Sequence, residues 1–112
     1  MSNTTNTVKR LGYGQLTGSA ATLYTCPAST KAIVKEIWFS NTDSSARTIT
    51  FYAIESGGSA AANRALLSAV SIAANTVYRI PCSMVLEAGE FLQGLADTTA
   101  KVTYRISGVE VV

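Results

Sequence analysis

"KAIVKEIWFSNTDSSARTITFYAI", residues 31–54, is the stretch whose reading decides the fold. Two runs rich in β-branched and aromatic residues flank a cluster of Asn, Thr, Asp and Ser, the pattern of two strands joined by a turn. In the first run Val34 and Trp38 fall on one face and Ile33, Ile37 and Phe39 on the other, with Lys35 and Glu36 alternating between them. Both faces are therefore expected to be partly covered. In the second run Ile49, Phe51 and Ala53 point one way, and Thr48, Thr50, Tyr52 and Ile54 the other. Trp38, like Tyr24, Tyr52 and Tyr78, sits inside a strand run, where packing against the core is the default expectation for a large aromatic ring.

The same punctuation continues outward. "YGQLTG" (13–18) and "ATLYTC" (21–26) read as strands, the second stopped by Pro27. "ESGGSAAANRALLSAV" (55–70) is ambiguous: its Gly-Ser opening is a loop, whereas Ala62, Ala65, Leu66, Ala69 and Val70 fit helical spacing. A loop over 55–64 and a strand over 66–72 are expected. "VYRIP" and "MVLE" lead into a turn at "EAGE" (87–90) and the strand "FLQGLAD". Gly89 supplies the positive φ of that turn, and Glu87 and Glu90 read as solvated acids at a hairpin tip. In "KVTYRISGVEVV" Val102, Tyr104 and Ile106 are expected inside, with a bulge at Gly108 that turns Val109 and Val111 inward as well. The count is eight or nine strands and no helix, most simply two packed antiparallel sheets. Residues 1–12, polar and rich in Asn and Thr, bury too little to order themselves and read as a flexible N-terminal arm on a single β-sandwich domain over residues 13–112.

Composition bounds the function. At 112 residues there is room for one core. Hydrophobic residues make up 47% and charged residues only 14%, against about 25% charged in an average domain. A surface so poor in charge suits a protein that lives against copies or partners. The net charge is +2 and the only adjacent basic pair is Lys9-Arg10, so the basic stripe expected of nucleic-acid binding is missing and no nucleic-acid partner is expected. No apolar stretch is long enough to span a bilayer, and "MSNTTNTVKRLGYG" lacks the features of a secretory leader. The expectation is synthesis in a cytoplasm with no membrane partner. Cys26 and Cys82, in "TCPAS" and "IPCSM", are then expected as buried free thiols at the ends of comparable strands.

Catalysis finds little to work with. The chain has no histidine, which removes the commonest general base, the usual zinc ligand and every Ser-His or Cys-His pair. Two cysteines cannot complete a zinc site, "EAGE" offers too few oxygens for calcium, and Gly57-Gly58 lacks the lysine of a phosphate loop. No enzyme activity, cofactor or metal is expected. Trp38 and the five tyrosines leave a sugar platform as the one open binding chemistry.

The run "LYTCPASTKAIVKEIWFSNTDSSARTITFYAI", a Gly-Ser-Ala loop, and "LLSAVSIAANTVYRIPCSMVLEAGEFLQGLADTTAKVTYRISGVEV" together resemble the small β-sandwich structural proteins of tailed bacteriophage virions. That family's pattern is Y-x-x-P-x-x-x-x-A-x-V, an Asn after the third strand, a VLEAGD turn and a closing ISGVE. Tyr24, Pro27, Ala32, Val34, Asn41, Gly89 and residues 106–110 match it. Most of these are turn and core positions, which speak for a fold before a role. The resemblance implies an antiparallel β-sandwich of jelly-roll type and a non-enzymatic virion protein made in the host cytoplasm. It implies most directly a capsid cement or decoration protein that stabilises neighbouring major capsid subunits and associates with copies of itself as a dimer or trimer. The alternative is a tail-associated or receptor-binding module that contacts host surface carbohydrate. Under the cement reading the arm supplies the partner contacts, with Val8, Leu11 and Tyr13 as apolar anchors and Lys9 and Arg10 as charges between them.

Overall fold

The computed structural model describes residues 5–112. Eight strands lie among them: β1 (Asn6–Gln15), β2 (Ala21–Thr25), β3 (Lys31–Asn41), β4 (Arg47–Ile54), β5 (Ala65–Ile72), β6 (Val77–Leu86), β7 (Phe91–Ala96) and β8 (Val102–Val111), with one 3-10 turn at Ala62–Arg64 before β5. One sheet has the order β1-β8-β3-β6 and the other β2-β7-β4-β5, with antiparallel neighbours throughout. Every connection except β4 to β5 passes from one sheet to the other. This is an eight-stranded jelly roll, as the strand spacing and the resemblance led one to expect.

The core lies between the sheets. Phe39, Ile37 and Val34 of β3 and Ile106 and Val102 of β8 meet Phe51 and Ile49 of β4 and Leu92 of β7, all fully buried. Phe39 and Phe51 pack edge to face, with centroids 5.7 Å apart, across the inter-sheet space.

Two polar ties close the sandwich near opposite ends. The Tyr24 hydroxyl of β2 donates to Glu110 Oε2 of β8 at 2.5 Å, and Lys9 Nζ of β1 reaches Glu110 Oε1 at 3.1 Å, so one buried carboxylate joins both sheets. Tyr24 first, then burial working against it, then Lys9 set the Glu110 carboxyl, which lies below its ordinary range. The Tyr24 phenol is pushed up by burial and by that same carboxylate. At the other tie the fully buried Asn41 donates through Nδ2 to the carbonyls of Ser45 (3.0 Å), Ile72 (3.0 Å) and Ala73 (3.2 Å), and accepts from the Asp43 backbone N–H at 3.0 Å.

Several local expectations are corrected. The β3 register shifts between Val34 and Glu36, a bulge where Lys35 is one residue extra against β8 and β6 in turn has one extra against β3, and this reverses the alternation along β3. Val34, Ile37 and Phe39 consequently all face the core, while Ile33 and Trp38 face out. Trp38 is 43% exposed, and Tyr78 is also exposed, so neither ring is core. No bulge occurs within β8: its pairing runs unbroken through Gly108, so Val109 and Val111 face out and Glu110 faces in. Gly108 is needed instead for close approach, since a Cβ there would lie 2.2 Å from the Ile33 carbonyl oxygen. The "EAGE" segment is not a hairpin tip. It carries the chain from β6 in one sheet to β7 in the other, with Gly89 at φ +85° and the Glu90 side chain accepting from the Glu87 N–H at 2.8 Å. Cys26 and Cys82 are both free; Cys26 is buried beyond the end of β2, whereas Cys82 lies within β6. Pro81 is tolerated there because β6 is an edge strand.

Of the arm expected over residues 1–12, residues 1–4 lie outside the described residues. From Asn6 the chain is already strand, paired with β8 from Asn6↔Val111 to Gln15↔Thr103. Its first five side chains are exposed. Backbone pairing rather than burial holds them, which is why hydrophobic pattern gives no sign of a strand there.

Candidate interaction surface

The two sheets turn different faces to solvent. On β2-β7-β4-β5 the outward rows are Thr22, Gln93, Tyr52 and Ala65, then Leu95 and Thr50, then Thr48 and Ser71, none of them charged. Gln93 Nε2 donates to Thr22 Oγ1 at 3.1 Å across one such pair.

On β1-β8-β3-β6 strand register builds three rows of another kind. Val8, Val109, Ile33 and Val85 form an apolar row across all four strands. Arg10, Ser107, Glu36 and Pro81 form the next, and Tyr13, Arg105, Trp38 and Arg79 an alternating aromatic and arginine row. The Arg10 guanidinium stacks over the Tyr13 ring, 3.9 Å from its centroid. Glu36 accepts from Trp38 Nε1 through one oxygen and from Arg79 Nε at 2.5 Å through the other. Arg79 first and Trp38 second hold its carboxyl below the usual range, so it stays ionised at neutral pH. A half-open hollow of about 210 Å³ lies here, lined by Glu36, Trp38, Arg105 and Ser107.

Charge on this face is one-sided. Glu36 is the only acidic residue at an outward position of the four strands, against Arg10, Lys31, Lys35, Arg79 and Arg105. The salt bridges among the described residues engage Lys9, Lys31, Arg47, Arg64 and Arg79, and on this face leave Arg10, Lys35 and Arg105 without an acidic partner.

No protein-family model and no curated protein matches the chain. Among solved structures it is similar to a chain of the T13 particle of infectious bursal disease virus, with TM-score 0.56, 11% identity, and 97% of this chain and 30% of that chain covered. It is likewise similar to a mutant VP2 protein of infectious bursal disease virus in derived T=1 particles, with TM-score 0.54, 13% identity, and 97% of this chain and 32% of that chain covered. The chain spans about a third of the length of those proteins. At these identities the likeness is one of fold.

The residues singled out from the sequence divide between the two sides of β1. Val8, 84% exposed, Arg10 and Tyr13, 63% exposed, lie on the outward face. Lys9 turns inward to Glu110, and Leu11 is buried at the register shift between Arg10 and Gly12. The sequence names Trp38 only as one of six candidate platform aromatics with a core default, and does not find Glu36, Arg105 and Ser107, because strands about 70 residues apart bring the four together and the β3 bulge decides which way Trp38 points. Among the described residues no group of three or more His, Cys, Asp or Glu side chains is placed to hold a metal, and no helix is long and apolar enough to cross a membrane. The surface offers stacking, ionic pairing and hydrogen bonding.

Proposed function

We propose that the protein is a non-enzymatic structural protein of a tailed-bacteriophage virion, a capsid cement or decoration protein that binds neighbouring major capsid subunits and associates with copies of itself. The observation that carries this reading is the margin of β1: an edge strand whose outward side chains include Val8 and Tyr13, both largely exposed, with Arg10 between them. Apolar groups so exposed on an edge mark a place that a neighbour covers. The charge-poor composition supports this reading, as do the jelly-roll fold and its likeness to chains from viral particles. The bacteriophage assignment rests on the sequence resemblance alone. Repetition on a lattice makes weak contacts durable, since each attachment raises the effective concentration for the next.

Imaging the particle that carries the protein tests the reading. Density for the jelly roll repeated over the shell, with β1 against the capsid subunits, is the expected result; density confined to the tail overturns it. Val8→Asp with Tyr13→Ser is the matched variant, expected to stay folded and to lose shell occupancy. Removing residues 1–12 would be a poorer test, because it would also take away Lys9 and Leu11, which belong to the fold. A second reading, a tail-associated or receptor-binding module contacting host surface carbohydrate, is favoured by one observation, the open hollow beside Trp38.

A further inference from the structure

We infer that the hollow at Trp38 binds an acidic sugar residue, a pyranose ring bearing a carboxylate. The inference does not rest on the cement reading, since the hollow lies on β3 and β8 and its test needs no shell. Three features of the site define the ligand. Trp38 presents a part-exposed ring whose Nε1 is tied to Glu36, so its orientation is set before anything binds. An aromatic surface held in this way suits the C–H face of a sugar ring, and pre-organisation lowers the entropy lost on binding. Each Glu36 oxygen already accepts one hydrogen bond and has capacity for another. Together with the Ser107 hydroxyl it can take up ring hydroxyls.

Arg105 supplies the third feature. Register places it between Tyr13 and Trp38 on the wall of the hollow, exposed and without an acidic partner among the described residues. A neutral sugar leaves its fork of donors to water; a carboxylate fills it bidentately. The surrounding charge agrees, because Arg10, Lys35, Arg79 and Arg105 outnumber Glu36 on this face. Glu36 at the centre argues against a phosphate backbone threading the same place, since two anions would meet with no hydroxyl to bridge them. A volume of about 210 Å³, open on one side, accommodates one ring and lets the rest of a polysaccharide run out over the sheet.

Trp38 is the chain's only tryptophan, so its fluorescence reports on this site alone. The intact protein is titrated at constant ionic strength with sodium D-glucuronate, D-glucose, sodium acetate and a short oligothymidylate. The expected result is a saturable change with glucuronate, half complete in the millimolar range, as suits a single ring on an open surface. Glucose should bind about tenfold more weakly, the loss of one charge-assisted contact, and acetate should give no saturable change. Arg105→Gln, at an exposed position that leaves the core untouched, should bring glucuronate down to the glucose level with an unchanged circular dichroism spectrum. No response to glucuronate overturns the proposal. So does an equal response to acetate, which would mean a bare carboxylate site, an equal response to glucose, which would remove the role of Arg105, or a response to oligothymidylate in place of the sugar.

Discussion

The inner faces of the two sheets are alike and the outer faces are not. Inside, both sheets present buried Phe, Ile and Leu to one core. Outside, one sheet carries uncharged Thr, Gln, Tyr and Ser, while the other carries Arg10, Lys35, Arg79 and Arg105 among Val8, Tyr13, Ile33, Trp38 and Val85. The jelly roll makes the same demand on both, so folding does not account for the difference. The neutral sheet, whose outer rows include Tyr52 but no charged side chain, shows that the fold stands without charge there. The outer face of β1-β8-β3-β6 is therefore where this sequence departs from what its fold requires, and function is to be sought there.

This contrast breaks if core and outer-face substitutions have similar effects. The largest expected effect is from Phe51→Ala, which removes the ring that meets Phe39 across the inter-sheet space. It should cost about 3–5 kcal/mol, the usual penalty for truncating a buried aromatic, measured by denaturant unfolding. Gly108→Ala belongs beside it: the added methyl would meet the Ile33 carbonyl oxygen at 2.2 Å and the Leu11 side chain at 2.9 Å, so β3 and β8 would have to separate. A loss of about 1–3 kcal/mol is expected. Unchanged unfolding in either variant would mean that the sheets do not pack as described.

Two carboxylates sharpen the comparison through pH. Glu110, buried between the sheets, and Glu36, on the outer face, both lie below the ordinary value of 4.5. A carboxyl depressed in the folded chain binds its proton more readily once unfolded, so its stabilisation is present above the ordinary value and is lost as pH falls through the folded one. Glu110→Gln should cost about 1–2 kcal/mol at neutral pH, from the lost Lys9 pair and a weaker Tyr24 bond. It should also flatten the fall in stability below about pH 4.5. Glu36→Gln should leave that acid limb nearly as it was, because solvent screens the exposed Arg79 pair. A melting series from pH 7 down to about pH 2.5 in both variants checks this. Equal flattening would remove the distinction between a carboxylate that ties the sheets and one that orients a surface.

The strands themselves are readable from residues because alternation is local: β2, β4, β7 and most of β3 and β8 lie where their side chains say. What escapes local reading has a physical reason at each point. Asn6–Arg10 bury almost nothing, and only the β8 backbone makes them a strand. The β3 bulge inserts a single residue against β8, Lys35, and so sends Trp38 out rather than in. Gly108 suggests a bulge in β8, yet the irregularities lie on its neighbours β1 and β3, and the glycine is there to let them come close. The motif that carries the resemblance is made largely of ties: Tyr24 bonds to the Glu110 of ISGVE, Asn41 gathers three carbonyls, and Gly89 turns the chain between sheets. It speaks for the fold, as its residue types suggest. The hollow at Trp38 depends on which strands become neighbours, and sequence alone does not hold that information.

The smallest expected effect tests the contrast most directly. Trp38→Ala removes a large ring from the middle of the outer face, where it touches Glu36 and lies between Arg79 and Arg105 in register. Lost cross-strand contacts destabilise and the rotamer freedom regained by removing an ordered surface ring partly offsets them, so the net change should stay within about 1 kcal/mol. Thermal unfolding beside Phe51→Ala is the measurement, with amide chemical shifts showing any change confined to β3, β6 and β8. A loss matching that of Phe51→Ala would make Trp38 a core residue and dissolve the difference between the faces. A near-silent substitution means that the chain keeps its one tryptophan, half exposed and hydrogen-bonded into position, at a place where folding has no use for it. A side chain oriented by its neighbours but unnecessary to their packing is one positioned for something that arrives from outside.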